Sequence, residues 1–249
     1  MGDDIKVGFF SDFHKMDALN DVSDADAEAL VYAVNDADLD VLVILGDHGA
    51  SGTREELEEA RYWYNKMDVD TVVEVPGNHD MNIQGIGLEL SNIDNYVEHA
   101  RINNDYDVNI QDFPFVFDVA DGVRVLLINT VAEGVPLARG AIGEKQLDKI
   151  ERELNKDFNG VFILAGHHCP SADGRGLSWT RALSDRRELE EVLLGSTASV
   201  LGVFGHVHSW REWSGVLGFK QLRGTPMAKE GFWIMECFNG GISWNKKVI

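Results

Sequence analysis

Seven of the eight histidines in this chain fall in five short segments, each with a carboxylate, an amide or a second histidine close by. The segments are Asp12-Phe13-His14, Asp47-His48, Asn78-His79-Asp80, His167-His168-Cys169-Pro170 and His206-Val207-His208. A single histidine or aspartate at such a place is ordinary, because turns and helix caps use them to satisfy backbone groups. Chance placement would scatter seven of them, and a core does not accept so many imidazoles without partners. Imidazole, carboxylate and one amide oxygen, with no compelling thiolate, are donors for Mn, Fe, Zn, Co or Ni and not for a Cys-rich structural zinc site. The donors also outnumber what one ion needs. Seven candidates with a shareable carboxylate suit two ions roughly 3.5–4 Å apart, the arrangement used for in-line phosphoryl displacement.

The elements that must position these segments are legible in the hydrophobic pattern. Each segment follows a run that reads as a strand: residues 5–10, 40–45, 71–75, 161–165 and 199–204. The run at 40–45 is continuously apolar after Asp40, as buried parallel strands are. Between the first three runs lie two helical patterns, one opened by Ser23-Asp24-Ala25-Asp26 and one by Thr53-Arg54-Glu55-Glu56, both capping-box signals. This β-α-β-α-β order implies a parallel sheet with right-handed crossovers. In open α/β sheets, sites are built at the carboxyl ends of strands, where all five segments fall.

Further on, residues 113–119 and 123–129 read as a hairpin about Asp121-Gly122, followed by a helix at 144–155 and another at 184–194. Residues 81–112 are polar and irregular, with a short helix expected near 91–100, and a loop rich in Gly, Ser and Arg spans 171–182. A terminal set of short strands closes the chain. No repeat, low-complexity linker or domain boundary is visible, so one domain over residues 1–249 is expected.

With 249 residues, 44% of them hydrophobic, the chain can bury a sizeable core. No run of 18 apolar residues exists, and Met-Gly-Asp-Asp-Ile-Lys lacks the features of a signal peptide. Two cysteines do not make a disulfide framework, so a reducing, cytoplasmic home without membrane attachment is expected. Acidic residues number 42 against 22 basic ones, a net charge of −20, and residues 17–40 carry eight acidic groups and no Lys or Arg. An imbalance spread so evenly fits a halophile's salt-rich cytoplasm, where salt screens self-repulsion; an ordinary acidic protein is the plainer alternative. Either way, long-range steering of nucleic acid or anionic membranes is disfavoured, because phosphate backbones are bound largely through Lys and Arg.

Asp-x-His, Gly-Asp, Gly-Asn-His-Asp, His-x-Pro and Gly-His-x-His, in that order from residue 12 to residue 208, resemble the calcineurin-like metallophosphoesterase superfamily. That group includes purple acid phosphatases and class III cyclic-nucleotide phosphodiesterases. The resemblance implies a four-layer α/β/β/α sandwich, two mixed β-sheets flanked by helices, with the metal site at the carboxyl ends of strands. It implies one ion held by Asp12, His14, Asp47 and His208. A second would be held by Asp47, Asn78, His206 and one histidine of the 167–168 pair, with Asp47 bridging. The His-x-Pro spacing selects His168. Strand alternation would then turn His167 away, to a supporting or backward-pointing position. The ions would be divalent or trivalent, with Mn or an Fe/Zn pair favoured.

The activity so implied is hydrolysis of a phosphomonoester or phosphodiester of a small molecule or nucleotide by a metal-bridging hydroxide. His79 would act as the general acid and Asp80 would orient its ring. A small phosphorylated compound is the implied partner, and the oligomeric state stays open. Alternatives on the same core are a nuclease, a protein phosphatase or a metal-holding scaffold protein. For His48 two positions are open, one supporting the metal ligands from behind and one on a surface loop, and the surface loop is expected. Arg175, Arg181, Trp179 and Trp210 are possible contacts for a substrate phosphate or base, although solvated loop residues and core aromatics explain them equally well.

Overall fold

The computed structural model describes residues 4–16, 22–81, 91–99, 112–171, 183–238 and 241–249. Strands β1 (Ile5–Phe10), β2 (Val41–Ile44) and β3 (Thr71–Glu74) lie parallel in one sheet, and every residue of β2 is buried. Helix α1 (Asp24–Ala37) starts where its capping box implies. The Ser23 hydroxyl accepts the Asp26 N–H at 3.2 Å while the Asp26 carboxylate accepts the Ser23 N–H at 3.0 Å. Helix α2 (Arg54–Tyr64) repeats the device with Thr53 and Glu56. Both helices turn an apolar stripe onto the outer face of this sheet, where Leu30, Val34, Ala60 and Trp63 pack with Leu42, Ile44 and Val72. Two short helices follow β3: α3 (Asn78–Met81) and α4 (Ile93–His99).

The second sheet contains β4 (Phe115–Ala120), β5 (Val123–Leu127), β6 (Val161–Gly166), β7 (Ser199–Phe204), β8 (Arg211–Val216) and β9 (Phe219–Gly224), in the order β4-β5-β6-β7-β9-β8. Its four inner strands are parallel, and β4 and β8 are antiparallel edges. Helices α5 (Glu144–Leu154) and α6 (Arg186–Gly195) cover its outer face through Leu147, Ile150, Leu189 and Leu193. The inner faces of the two sheets share one core, in which Phe9, Val43 and Val73 meet Val125, Ile163 and Val203. The layers therefore run α/β/β/α, and both sheets are mixed.

The terminal strands divide between the sheets. While β8 and β9 extend the second, β10 (Gly231–Phe238) crosses back to pair antiparallel with β1, and β11 (Gly241–Val248) pairs with β10 to close the first as β11-β10-β1-β2-β3. A period-2 pattern identifies a strand but not its sheet, so this division is invisible in sequence. Residues 82–90, 100–111 and 172–182 lie outside the described residues, and with them most of the irregular stretch and of the 171–182 loop, including Arg175, Trp179 and Arg181. Among the described residues no helix is long and apolar enough to cross a membrane.

Candidate metal centre

Asp12 and His14 follow β1, Asp47 follows β2, and His206 and His208 follow β7. All five take positive φ, at 58°, 46°, 57°, 66° and 49°. Residues with a Cβ avoid this left-handed region at a cost on the order of 1 kcal/mol each, and such strain gathers where function holds it in place. Backbone bonds lock the turns together: Asp12 N–H donates to Gly46 O and His14 N–H to Asp47 O, each at 3.0 Å.

The side chains converge as two groups of donors. In the first, Asp12 Oδ1 lies 3.0 Å from His208 Nε2, and His14 Nε2 lies 3.3 Å from His208 Nε2, 3.7 Å from Asp47 Oδ2 and 3.8 Å from Asp12 Oδ1. In the second, one nitrogen from each of His167, His168 and His206 lies within 4.8 Å of the others. His167 Nε2 also stands 3.2 Å from Asp47 Oδ2 and 3.0 Å from Asn78 Oδ1. Donors bound at about 2.0–2.2 Å around one ion sit roughly 3–3.5 Å from their neighbours, so the shorter spacings suit a coordination shell. Asp47 Oδ2 faces both groups.

The buried donors fit ions in a second respect. Asp12 Oδ1, Asp47 Oδ2, His168 Nε2 and His206 Nε2 are sealed from solvent and have no well-aligned hydrogen bond among the described residues; each of the two carboxylate oxygens has an imidazole nitrogen within 3.2 Å. Buried polar atoms are rarely left so, and four of them gathered in the two donor groups suit cations.

Three expectations need correction. His167 does not turn away: its ring lies 4.9 Å from that of His168 and 5.1 Å from that of His206. Strand β6 ends at Gly166, so alternation no longer governs residues 167 and 168, and both rings swing to the same side. The His167 Nδ1–H donates to Leu45 O at 2.7 Å, which aims Nε2 at Asp47 and Asn78. Asp80 does not hold the His79 ring. Its carboxylate accepts three backbone N–H groups, those of Asp47 (2.9 Å), Gly77 (2.7 Å) and His48 (2.8 Å), while His79 Nδ1–H donates to Ala50 O at 2.7 Å. His48 is buried rather than on a surface loop. Its Nδ1 lies 3.0 Å from the Tyr64 hydroxyl and its ring stacks on Tyr96, because α2 and α4 close over it.

His79 is half-buried, and its ring meets His14 edge-on with centroids 4.7 Å apart. Its backbone N–H donates to Asp47 Oδ1 at 2.9 Å. Trp210, just past His208, packs edge-on against Trp233. Three hydroxyl residues escaped the sequence reading. Ser11 hydrogen-bonds both Asp12 Oδ2 and the Thr225 hydroxyl, and Thr130 Oγ1 lies 2.8 Å from His168 Nδ1 and accepts the His168 N–H at 3.1 Å. All three lie at or just past strand ends, so the rule that found the histidines would have found them had hydroxyls been counted.

Charge follows the same division. Burial alone would raise Asp12 and Asp47, but His208 holds Asp12 down at about 2, and His167 and His79 hold Asp47 well below the usual carboxylate range. Burial pushes His206 down to about 3 and lowers His168 and His14, keeping these imidazoles neutral and able to donate lone pairs. Burial opposes protonation of His167 too, yet Asp47 beside it lifts that ring to about 9. A proton there occupies the position that a cation would take.

Residues 5–210 match the family model for calcineurin-like phosphoesterases. The chain belongs to that family. A probable glycerophosphodiester phosphodiesterase of Arcobacter nitrofigilis is 30% identical over 170 residues, 68% of this chain and 56% of that protein. A 3′,5′-cyclic-nucleotide phosphodiesterase of Nostoc is 25% identical over 171 residues, 69% of this chain and 56% of that protein. The chain thus spans about half the length of these curated relatives. A dimetal phosphatase from Danio rerio shares the phosphoesterase fold at a TM-score of 0.73 and 14% identity, with 98% of this chain and 96% of that one covered.

Proposed function

We propose that this calcineurin-like phosphoesterase is a binuclear metal-dependent hydrolase of a small phosphodiester, acting as one domain over residues 1–249. The observation that carries the reading is Asp47, whose Oδ2 faces both donor groups at once. Asp12, His14, Asp47 and His208 would hold one ion. Asp47, Asn78 and His206 would hold the other. His168 would join them through an Nε2 that no well-aligned hydrogen bond occupies, and His167 through an Nε2 within 3.2 Å of both Asp47 and Asn78 oxygens. Oxygen and nitrogen donors without thiolate suit Mn, Fe, Zn, Co or Ni, and the family resemblance favours Mn or an Fe/Zn pair among them. When bound there, two such cations would lower the pKa of a water held between these residues and offset charge on the phosphoryl oxygens.

His79 is the general acid in this reading. Since a carbonyl oxygen only accepts, the bond to Ala50 O fixes the proton on Nδ1, and the proton given to the leaving oxygen comes from Nε2 of the imidazolium. The His79 N–H on Asp47 Oδ1 ties the acid to the bridging carboxylate, so both keep one spacing. The names of the two curated relatives favour a diester over a monoester. Two cysteines are too few for a disulfide framework, which favours a reducing compartment such as the cytoplasm.

The test is turnover of bis-p-nitrophenyl phosphate and p-nitrophenyl phosphate in high salt, with and without Mn²⁺. Metal-dependent hydrolysis, faster on the diester and abolished in Asp47→Ala, is expected. Turnover that ignores Mn²⁺, or that survives Asp47→Ala, contradicts the reading.

A further inference from the structure

Asp80 is wholly buried, and its carboxylate is committed to backbone rather than to any side chain of the reaction. Oδ2 accepts the N–H of Asp47 and of Gly77, and Oδ1 accepts the N–H of His48. Two loops, one after β2 and one after β3, are thereby closed onto a single anion. The tie is reciprocal, because Asp47 Oδ1 accepts the N–H of His79 from the segment that carries Asp80. The loops touch so closely that a Cβ on Gly77 would collide with the Asp47 carboxylate and backbone, and one on Gly46 with the backbone of Pro76 and Gly77. Behind the latch, His48 is held by the Tyr64 hydroxyl and by stacking on Tyr96, which fixes the β2 loop to α2 and α4.

We propose that Asp80 is a positioning residue that acts through Asp47: its three backbone hydrogen bonds set the bridging carboxylate in place, and with it the relation between the two ions. The alternative is the role expected of it from sequence, orientation of the His79 ring. The inference rests on the metallophosphoesterase reading and separates from it as follows.

The test compares Asp80→Asn with His79→Ala and the unsubstituted protein. An amide keeps the shape but presents one acceptor oxygen and an NH₂ where three N–H groups need acceptors. Thermal unfolding checks the fold, calorimetry with Mn²⁺ alone counts ions and affinities, and electron paramagnetic resonance reads the coupling between the two Mn²⁺ ions. A series of aryl phosphodiesters reads the dependence of rate on leaving-group acidity. Asp80→Asn is expected to weaken binding of at least one ion by about 10–100-fold, the scale typical of groups that support metal ligands. It should also change the Mn–Mn coupling and keep the unsubstituted leaving-group slope. His79→Ala should keep both ions and their coupling and steepen that slope.

The inference is overturned if Asp80→Asn binds two Mn²⁺ with unchanged affinity and coupling, whether its rate is normal or follows the His79→Ala pattern. If the unsubstituted protein binds no Mn²⁺, the phosphoesterase reading itself fails and the latch with it. If Asp80→Asn does not fold, Asp80→Glu takes its place. It keeps the charge and both acceptors but moves them by one methylene, and the same readouts decide.

Discussion

The two ends of the first sheet are both rich in aspartate and are physically opposite. At the carboxyl ends, Asp12, Asp47 and Asp80 are completely buried, and each has an imidazole nitrogen within 4 Å. At the amino ends, Asp4, Asp38, Asp40, Asp68 and Asp70 surround an open cleft of about 300 Å³ with Lys6 as its cation, and all five are exposed. There the carboxylates do local work: Asp40 accepts the Lys6 N–H at 2.7 Å, and Asp38 lies 4.0 Å from Lys6 Nζ. Solvation satisfies the rest. A cluster of carboxylates is therefore not a site by itself. Burial, unlike partners and convergence on one point make it one.

That contrast is open to experiment, beginning with the largest effect. His79→Ala should lose about 10²–10⁴-fold in kcat with both metals retained, since general acid catalysis is worth that much. Steady-state kinetics beside metal analysis checks it, and a variant that loses metal instead would make His79 a ligand. Thr225→Val removes the hydroxyl that holds Ser11 against Asp12 and should lower Mn²⁺ affinity by about 10–100-fold. Asp38→Asn, at the solvated end, should leave affinity and rate unchanged. An equal effect of the two substitutions would erase the distinction between the ends.

The smallest effect is in pH. His167 is raised to about 9 by Asp47, so it carries a proton in the metal-free protein at neutral pH, and a cation at that position must displace it. Mn²⁺ affinity should rise with pH up to about 9 and then level off. Calorimetry in two buffers of different ionisation heat should show a proton released at pH 7 that fades above pH 9.

Much of this was legible in the sequence, for stated reasons. Runs rich in apolar and β-branched residues located β1, β2, β3, β6 and β7, and the polar residues after each located the donors. Legibility stopped where the chain left regular structure. The faces of His167 and His168 depend on a bend past β6 that no periodicity describes. The partners of Asp80 are backbone groups, which leave no mark on residue type, and the burial of His48 depends on Tyr64 and Tyr96, brought over it by two helices. Thr225 reaches Ser11 across 214 positions, a contact that only the crossing of strands between the sheets creates.

The central claim is that Asp47 joins two metal sites into one catalytic unit. Stepwise titration of the metal-free protein with Mn²⁺, following bis-p-nitrophenyl phosphate hydrolysis at each addition, tests it most directly. The account predicts that turnover appears only as the second ion binds and is complete at two ions per chain. Full turnover with one ion bound, or none with two, would contradict it.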